Sequence, residues 1–497
     1  MIWNLGSSPT RDELIRALKA GADYIRGGVD YKVLLLFLFY KALSDKWLKA
    51  VEDYKKEGYT QTKAYLLANQ DFYVLFDEEE QKLLTWHEVM KKRETIIDLV
   101  NALIRISKLN PTLSDLQKLI EVLGLRGFIN SDNLPNIQKI SEIFNTFNFS
   151  EISYDVLGDA YMWILNYFAP EKAKEGENYT PQEVVKLLVR LLDIENGSKI
   201  LDPALGSASM LIESWNYVAK KEKPDLKLFG QERNDLMGII AKMNLILHGI
   251  KDYEIFIGDS LSNPRFGECD YVLANPPWNQ DYNVEALKDP KVKRIYTTFA
   301  RDGFPPSSSM DWAWIQLMLF FAKKKVGIIL DNGALFRGGR EKKIREEIVK
   351  KDLLEAVILL PEKLFYNTGA PGCIMVFNKR KVEERKGKVI FINASNEFEK
   401  HSEIKRLNQL GEKNIERIVN AYREFKDVEG FSKVVCLEEI AKNDFNLNVT
   451  LYVFPLEKSE DIDVFKEFEE LKALEIERAE IMAKLEGYIQ QIKEAIK

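Results

Sequence analysis

Asn275-Pro276-Pro277-Trp278 is the stretch of this chain whose residue types most directly suggest chemistry. It closes the apolar run Tyr271-Val272-Leu273-Ala274, which has the composition of a buried strand in a parallel sheet. Two prolines straight after a strand end its ladder and block a helical turn, so the exit is stiff. Such an exit holds one amide and one aromatic ring at the C-terminal edge of the sheet. The Asn carbonyl and a neighbouring backbone carbonyl can each accept a hydrogen bond from an exocyclic amino group. A Trp beside them offers a face to a planar ring. The set suits capture of an amino-bearing heterocycle, such as the edge of adenine or cytosine. A tight strand-ending turn with a core Trp would use the same residues, so the segments upstream must discriminate.

Upstream, Ile200-Leu201-Asp202-Pro203-Ala204-Leu205-Gly206-Ser207-Ala208-Ser209 reads as a strand, a small-residue turn and a helix from Met210. Small residues let the backbone approach a ligand, and a helix start offers free N–H groups to a phosphate or a carboxylate. The turn lacks the Gly-Lys-Ser/Thr of a nucleotide-phosphate loop. The next strand ends in Gly230-Gln231-Glu232, where an acid can accept from both ribose hydroxyls, and the one after ends in Gly258-Asp259, where an acid can accept from an adenine amino group. Singly, each acid is equally a solvated strand end or a helix cap. In series, these strand tips describe a place for a nucleoside beside a receptor for an amino group.

The elements that must position these residues follow from periodicity. Residues 1–150 read as a helical domain, with a capping box at Thr10-Arg11-Asp12-Glu13 starting a helix through Ala20. From about residue 184, helices alternate with short apolar strands at 199–201, 226–229, 253–257, 271–274, 326–330, 356–360, 373–377 and 389–392. That alternation predicts a doubly wound α/β sheet of Rossmann-like form. Residues 151–400 are expected to be the catalytic domain and 401–497 a C-terminal region. The latter ends in a charged helix with Met482, Leu485, Ile489, Ile492 and Ile496 on a narrow seam.

The bulk numbers bound the rest. A chain of 497 residues, 46% hydrophobic and 30% charged, matches a soluble multidomain protein. Three dispersed cysteines predict reduced thiols in a cytoplasm, and with only three histidines no metal site is expected. Met1-Ile2-Trp3-Asn4-Leu5 lacks the pattern of a leader, and the longest apolar run, 33–39, is too short to span a bilayer. The net charge of −6 gives no general affinity for nucleic acid, so any such contact would need local clusters. Candidates are Lys323-Lys324-Lys325, Arg337 with Arg340, Lys342-Lys343, and Lys291 with Lys293-Arg294.

Together these motifs resemble the adenine-N6 DNA methyltransferase subunits of type I restriction-modification systems. Asp202-Pro203-Ala204 with Gly206 is similar to that family's methionine-pocket motif, and Asn275-Pro276-Pro277-Trp278 to its catalytic motif. Gly176-Glu177-Asn178-Tyr179-Thr180-Pro181 resembles its loop over the cofactor. Further similar stretches are Ser307 to Trp312, Leu335 to Gly339, Leu364 to Gly369 and Asn393 to Phe398. The resemblance implies an S-adenosylmethionine-dependent methyltransferase fold and transfer of a methyl group to N6 of a flipped adenine. It implies cofactor contacts from Glu177, Asn178, Tyr179, Thr180, Pro181, Gln182, Asp202, Gly206, Ser207, Ala208, Ser209, Glu232 and Asp259. The implied partners are duplex DNA, a separate specificity subunit serving two copies of this chain, and an ATP-dependent restriction subunit, with no membrane. Two departures stand out: Ala208 and Ser209 where glycine is frequent, and Trp278 where Phe or Tyr is usual. Cytosine N4, RNA or a protein glutamine present a comparable amino group to the same motif, and a silent scaffold is the reading from another class.

Overall fold

The computed structural model describes residues 8–25, 30–90, 96–130, 132, 134–173, 179–402, 404–454 and 464–495. The first helix, Arg11–Ile25, begins as its pattern predicts and runs beyond residue 20. The Thr10 backbone N–H and hydroxyl both reach Glu13 Oε2, at 2.8 and 2.9 Å, and the Glu13 N–H returns to Thr10 Oγ1 at 3.3 Å. The next helix, Lys32–Lys56, carries the long apolar run, and all of residues 33–40 are buried, as a helix apolar on every side must be.

One turn further, that helix holds an ion pair with no solvent contact, Lys41 with Asp45. Lys41 Nζ also donates to the Phe147 carbonyl at 2.7 Å, over the Phe149 ring. Asp45 accepts the Phe149 N–H at 2.7 Å and meets His87 Nε2 at 2.7 Å. Both charges are therefore hydrogen-bonded as well as paired, and the pair fastens the helix to the 146–150 loop and to the short helix Trp86–Val89. The helical region also contains a feature the periodicity did not suggest, an antiparallel pair of two-residue strands, Phe76–Asp77 and Lys82–Leu83.

Among the described residues nine strands form the main sheet: β1 Lys199–Asp202, β2 Lys227–Glu232, β3 Tyr253–Ile257, β4 Cys269–Ala274, β5 Ala322–Asp331, β6 Leu354–Leu359, β7 Gly372–Asn378, β8 Lys388–Asn393 and β9 Ser432–Cys436. Their order is β9-β8-β6-β7-β5-β4-β1-β2-β3. The chain winds outward from β1 to β3, then returns to lay β4 on the other side of β1, parallel to it. The crevice between β1 and β4 is thus the topological switch point, where open α/β sheets take their ligands. All eight expected strands are present. β7 enters antiparallel to both neighbours, because the 360–371 connection holds no crossover helix and leads back into the adjacent lane. β9, an antiparallel edge strand, escaped the reading; its apolar content is Val434 and Val435 alone.

The helix Asp235–Leu247 is shared between layers. Ala241 and Leu245 pack on the sheet side, whereas Ile239, Ile240, Met243, Ile246 and Leu247 belong to the core of the N-terminal helices. Tyr161 Oη donates to its Ile240 carbonyl at 3.0 Å. The chain divides into two compact units, Met1–Phe454 and Pro455–Lys497. In the second, the helix Val464–Ala495 exposes Phe468, Leu471, Met482, Leu485 and Ile489. Ile496 and the Ile492 side chain of the expected seam lie outside the described residues. Among those described, no helix is long and apolar enough to cross a membrane.

Removing one member of the buried pair leaves the other uncompensated. Asp45→Ala is expected to lose about 3–5 kcal/mol in urea unfolding, whereas replacing both Lys41 and Asp45 with apolar residues should cost much less. Equal losses in the two variants would show that the pairing itself carries no weight.

Candidate active site

At the tip of β1, Asp202 turns under its own backbone: Oδ1 accepts the Ala204 N–H at 3.0 Å, and the side chain is buried. The turn that follows needs two left-handed residues, Gly206 (φ 53°) and Ala208 (φ 67°). Glycine adopts that conformation freely and alanine does so at a cost of about 1 kcal/mol, so Ala208 is a mild strain where glycine would relieve it. Ala208 leads directly into the helix Ser209–Ala219, and the hydroxyls of Ser207 and Ser209 lie 2.8 Å apart. Asn244, from the shared helix, donates to the Ser207 carbonyl at 2.8 Å and holds the turn from behind.

Glu232, at the tip of β2, bridges two loops. Oε2 accepts the Gly206 N–H at 2.9 Å and Oε1 the Asn234 N–H at 2.8 Å. At the tip of β3, Asp259 accepts the Leu261 N–H through Oδ1 at 2.9 Å and the Tyr282 hydroxyl through Oδ2 at 2.6 Å. Asn275 follows β4. Its Nδ2 donates to Thr180 Oγ1 at 2.9 Å, and its Oδ1 accepts the Trp278 Nε1–H at 2.9 Å. The Trp278 ring stands edge-on to Phe365, with centroids 4.7 Å apart.

A cavity of about 210 Å³ opens among these tips. Gly206, Glu232, Asp259, Asn275 and Pro277 line it, as do Asn234, Met237, Gln280 and Trp314, which sequence reasoning missed. Asn234 and Gln280 lie two residues beyond Glu232 and Trp278, so extending each motif by one turn would have found them. Trp314, whose Nε1 donates to Gln280 Oε1 at 3.2 Å, had no comparable signal. Asp202 and Ala208 are buried behind the turn, and Pro276 is buried beside Asn275. Tyr179 is buried within the N-terminal helical core and shares a 2.5 Å hydrogen bond with the Tyr31 hydroxyl. Pro181 caps the helix Gln182–Leu192, and the buried Gln182 Nε2 has no hydrogen-bond partner among the described residues. Glu177 and Asn178 lie outside the described residues.

The candidate basic clusters separate. Lys323, Lys324 and Lys325 lie at the start of β5, at the end of the sheet opposite Asn275; Lys324 pairs with Glu195 and Lys325 is half-buried beside Tyr422. Arg337 is taken up by Asp311, Asp331 and Glu341. Neither is therefore placed to meet a phosphate at this site. Lys291, Lys293, Arg294, Arg340 and Lys343 are exposed.

A family model described as N-6 DNA methylase matches residues 152–461. The MjaVII type I restriction enzyme methylase subunit of Methanocaldococcus jannaschii is 61% identical over 98% of this chain and 85% of its own length. The MpnII type I methylase subunit of Mycoplasma pneumoniae is 27% identical over 95% of each chain. The crystal structure of a type I restriction-modification methyltransferase subunit from Streptococcus thermophilus superposes with a TM-score of 0.76 at 27% identity, covering 90% of this chain and all of that one. Sheet order and switch-point cavity together define a methyltransferase-type α/β fold. The chain belongs to the N-6 DNA methylase family, among the methyltransferase subunits of type I restriction-modification systems.

Burial, reinforced by the nearby Glu232 charge, pushes the Asp202 carboxyl up to about 8 from an ordinary 3.8. Between those values the folded protein keeps a proton that the unfolded chain has released. This contribution to stability is complete below pH 3.8 and lost as pH rises through about 8. Asp202→Asn keeps the acceptor for Ala204 but cannot ionise. It should melt above the parent at about pH 9, the advantage vanishing by about pH 4; a gap independent of pH would refute the shift.

Proposed function

We propose that this methyltransferase subunit moves a methyl group from S-adenosylmethionine to N6 of an adenine flipped out of duplex DNA. The observation that carries the reading is the Asn275 amide set into the wall of the same cavity that Gly206, Glu232 and Asp259 line. The residues fit the cofactor. The left-handed turn at Gly206 opens backbone toward an anionic group, and each Glu232 oxygen has a lone pair beyond its backbone N–H for a ribose hydroxyl. S-adenosylmethionine supplies the electrophilic methyl. We assign cofactor contact to Tyr179, Thr180, Pro181, Gln182, Asp202, Gly206, Ser207, Ala208, Ser209, Glu232 and Asp259, with Glu177 and Asn178 completing the loop.

Extruding an adenine costs a few kcal/mol, and stacking against the half-buried Trp278 returns about 1–3 kcal/mol. The free lone pair of Asn275 Oδ1 and the Pro276 carbonyl accept the two amino hydrogens. That draws the nitrogen lone pair out of the ring and toward the methyl carbon. Each such bond is worth only about 0.5–1.5 kcal/mol to stability. Oriented in a closed site, loss of one can cost on the order of 100-fold in rate.

The DNA sequence is read by a separate specificity subunit that two copies of this chain flank, and an ATP-dependent restriction subunit joins the complex in the cytoplasm. In that scheme residues 1–150 form the helical domain, 151–400 the catalytic domain and 401–497 the region that docks on the reader through the apolar seam of Val464–Ala495. Asn275→Ala should bind S-adenosylmethionine normally in calorimetry and transfer no methyl to DNA; turnover near the parent rate would sink the mechanism. Truncation near residue 460 should leave cofactor affinity intact and abolish co-purification with the specificity subunit; a stable truncated complex would remove the tail from that role.

A further inference from the structure

The Asn275 side chain is held at both ends, and the two holds are not equivalent. Nδ2 donates to Thr180 Oγ1 and Oδ1 accepts from Trp278 Nε1, each at 2.9 Å. A hydroxyl donates or accepts equally well, so Thr180 would tolerate the amide rotated by 180°. An indole N–H only donates. In the rotated amide it would face another donor, so of the two described side-chain partners of Asn275 it is Trp278 that tells the oxygen end from the nitrogen end. The indole is itself fixed, edge-on to Phe365 at 71° and seated over Gly372, where a β-carbon would come within 3.0 Å of its ring and 2.8 Å of Phe365.

We propose that Trp278 is a positioning residue that sets the polarity of the Asn275 amide, so that an oxygen lone pair rather than an N–H faces the target amino group. This rests on the assignment of Asn275 as the acceptor. Phenylalanine at 278 would keep a stacking ring and lose the reference. The rotated amide would then oppose donor to donor, and that fraction of enzyme would bind both ligands without reacting.

The test uses the complex with its specificity subunit on two duplexes: one with adenine at the target, for turnover, and one with 2-aminopurine there, which has no N6 amino group and reports base extrusion alone. Trp278→Phe should retain cofactor affinity and the rise in 2-aminopurine fluorescence, while kcat falls about ten-fold with KM nearly unchanged. Replacing Trp278 by benzothienylalanine, which keeps the bicyclic shape and exchanges N–H for sulfur, should give the same loss without disturbing packing. Full kcat in either variant would overturn the proposal. So would a kcat loss that tracks loss of the fluorescence rise, which would mean the ring acts by stacking alone. Asn275→Ala in the same assay separates the two readings: activity there defeats the acceptor assignment itself, whatever Trp278→Phe does.

Discussion

The shared helix Asp235–Leu247 is the constraint on which the rest of the molecule turns. A helix with apolar side chains on two opposed faces cannot lie on a solvated surface, so it must be walled on both sides. The sheet takes Ala241 and Leu245, and the N-terminal helices take Ile239, Ile240 and Met243. At its edges lie ion pairs to the helical region, Lys242 with Asp115 and Lys118 with Asp235. Its one buried amide, Asn244, reaches through to the Ser207 carbonyl. Packing between layers is thereby converted into the position of the turn that follows β1. The helical region is accordingly part of the support for the cavity, even though it contributes none of the strand tips.

The acids at those tips divide by what neutralises them. Among the described residues, Asp202, Glu232 and Asp259 have no lysine or arginine bonded to them; they are held by backbone N–H groups and one tyrosine hydroxyl. Burial raises Asp202 and Glu232 above the ordinary carboxylate range. A carboxyl held this way retains lone pairs that a ligand's hydroxyl or amino groups can use, whereas an acid locked to a guanidinium has spent them. The β1–β4 crevice thus combines the sheet geometry that gathers ligands with acceptors not consumed by cations.

How much of this was legible follows from the range of each signal. Strand cores and their tips were readable because apolar runs and the residues that stop them are local, which is why Glu232, Asp259 and Asn275 could be singled out before any fold was known. The antiparallel entry of β7 was not, since direction depends on a connection whose path is set by its neighbours. β9 was missed because an edge strand needs few apolar residues. Tyr179 shows the limit most clearly: its motif says that an aromatic belongs there, but only the fold reveals its hydroxyl against Tyr31. The same holds for Trp278, whose ring could be inferred from its type, while the use of its N–H depended on where Asn275 turned.

Behind the tetrapeptide lies a different electrostatic solution, and it explains why the loops around the cavity hold their shape. One guanidinium, Arg337, is bonded to Asp311, Asp331 and Glu341 and touches Ser309. Three acids on one cation leave an excess of negative charge in a largely buried place, and burial pushes Asp311 up to about 6 in spite of that cation. The carboxylates spend their remaining valences on backbone. Asp311 accepts the N–H of Asn279, a left-handed residue directly after Trp278, and Asp331 accepts that of Gly333 beyond β5. Two loops at the C-terminal edge are therefore anchored to a single charged cluster. The left-handed conformation of Asn279 is one that asparagine enters more readily than most residues, and a fixed hydrogen bond to its N–H holds it there. The Arg337 cluster supplies that hydrogen bond one residue from the ring that orients the amide, so the stiffness begun by the two prolines continues past the end of their motif.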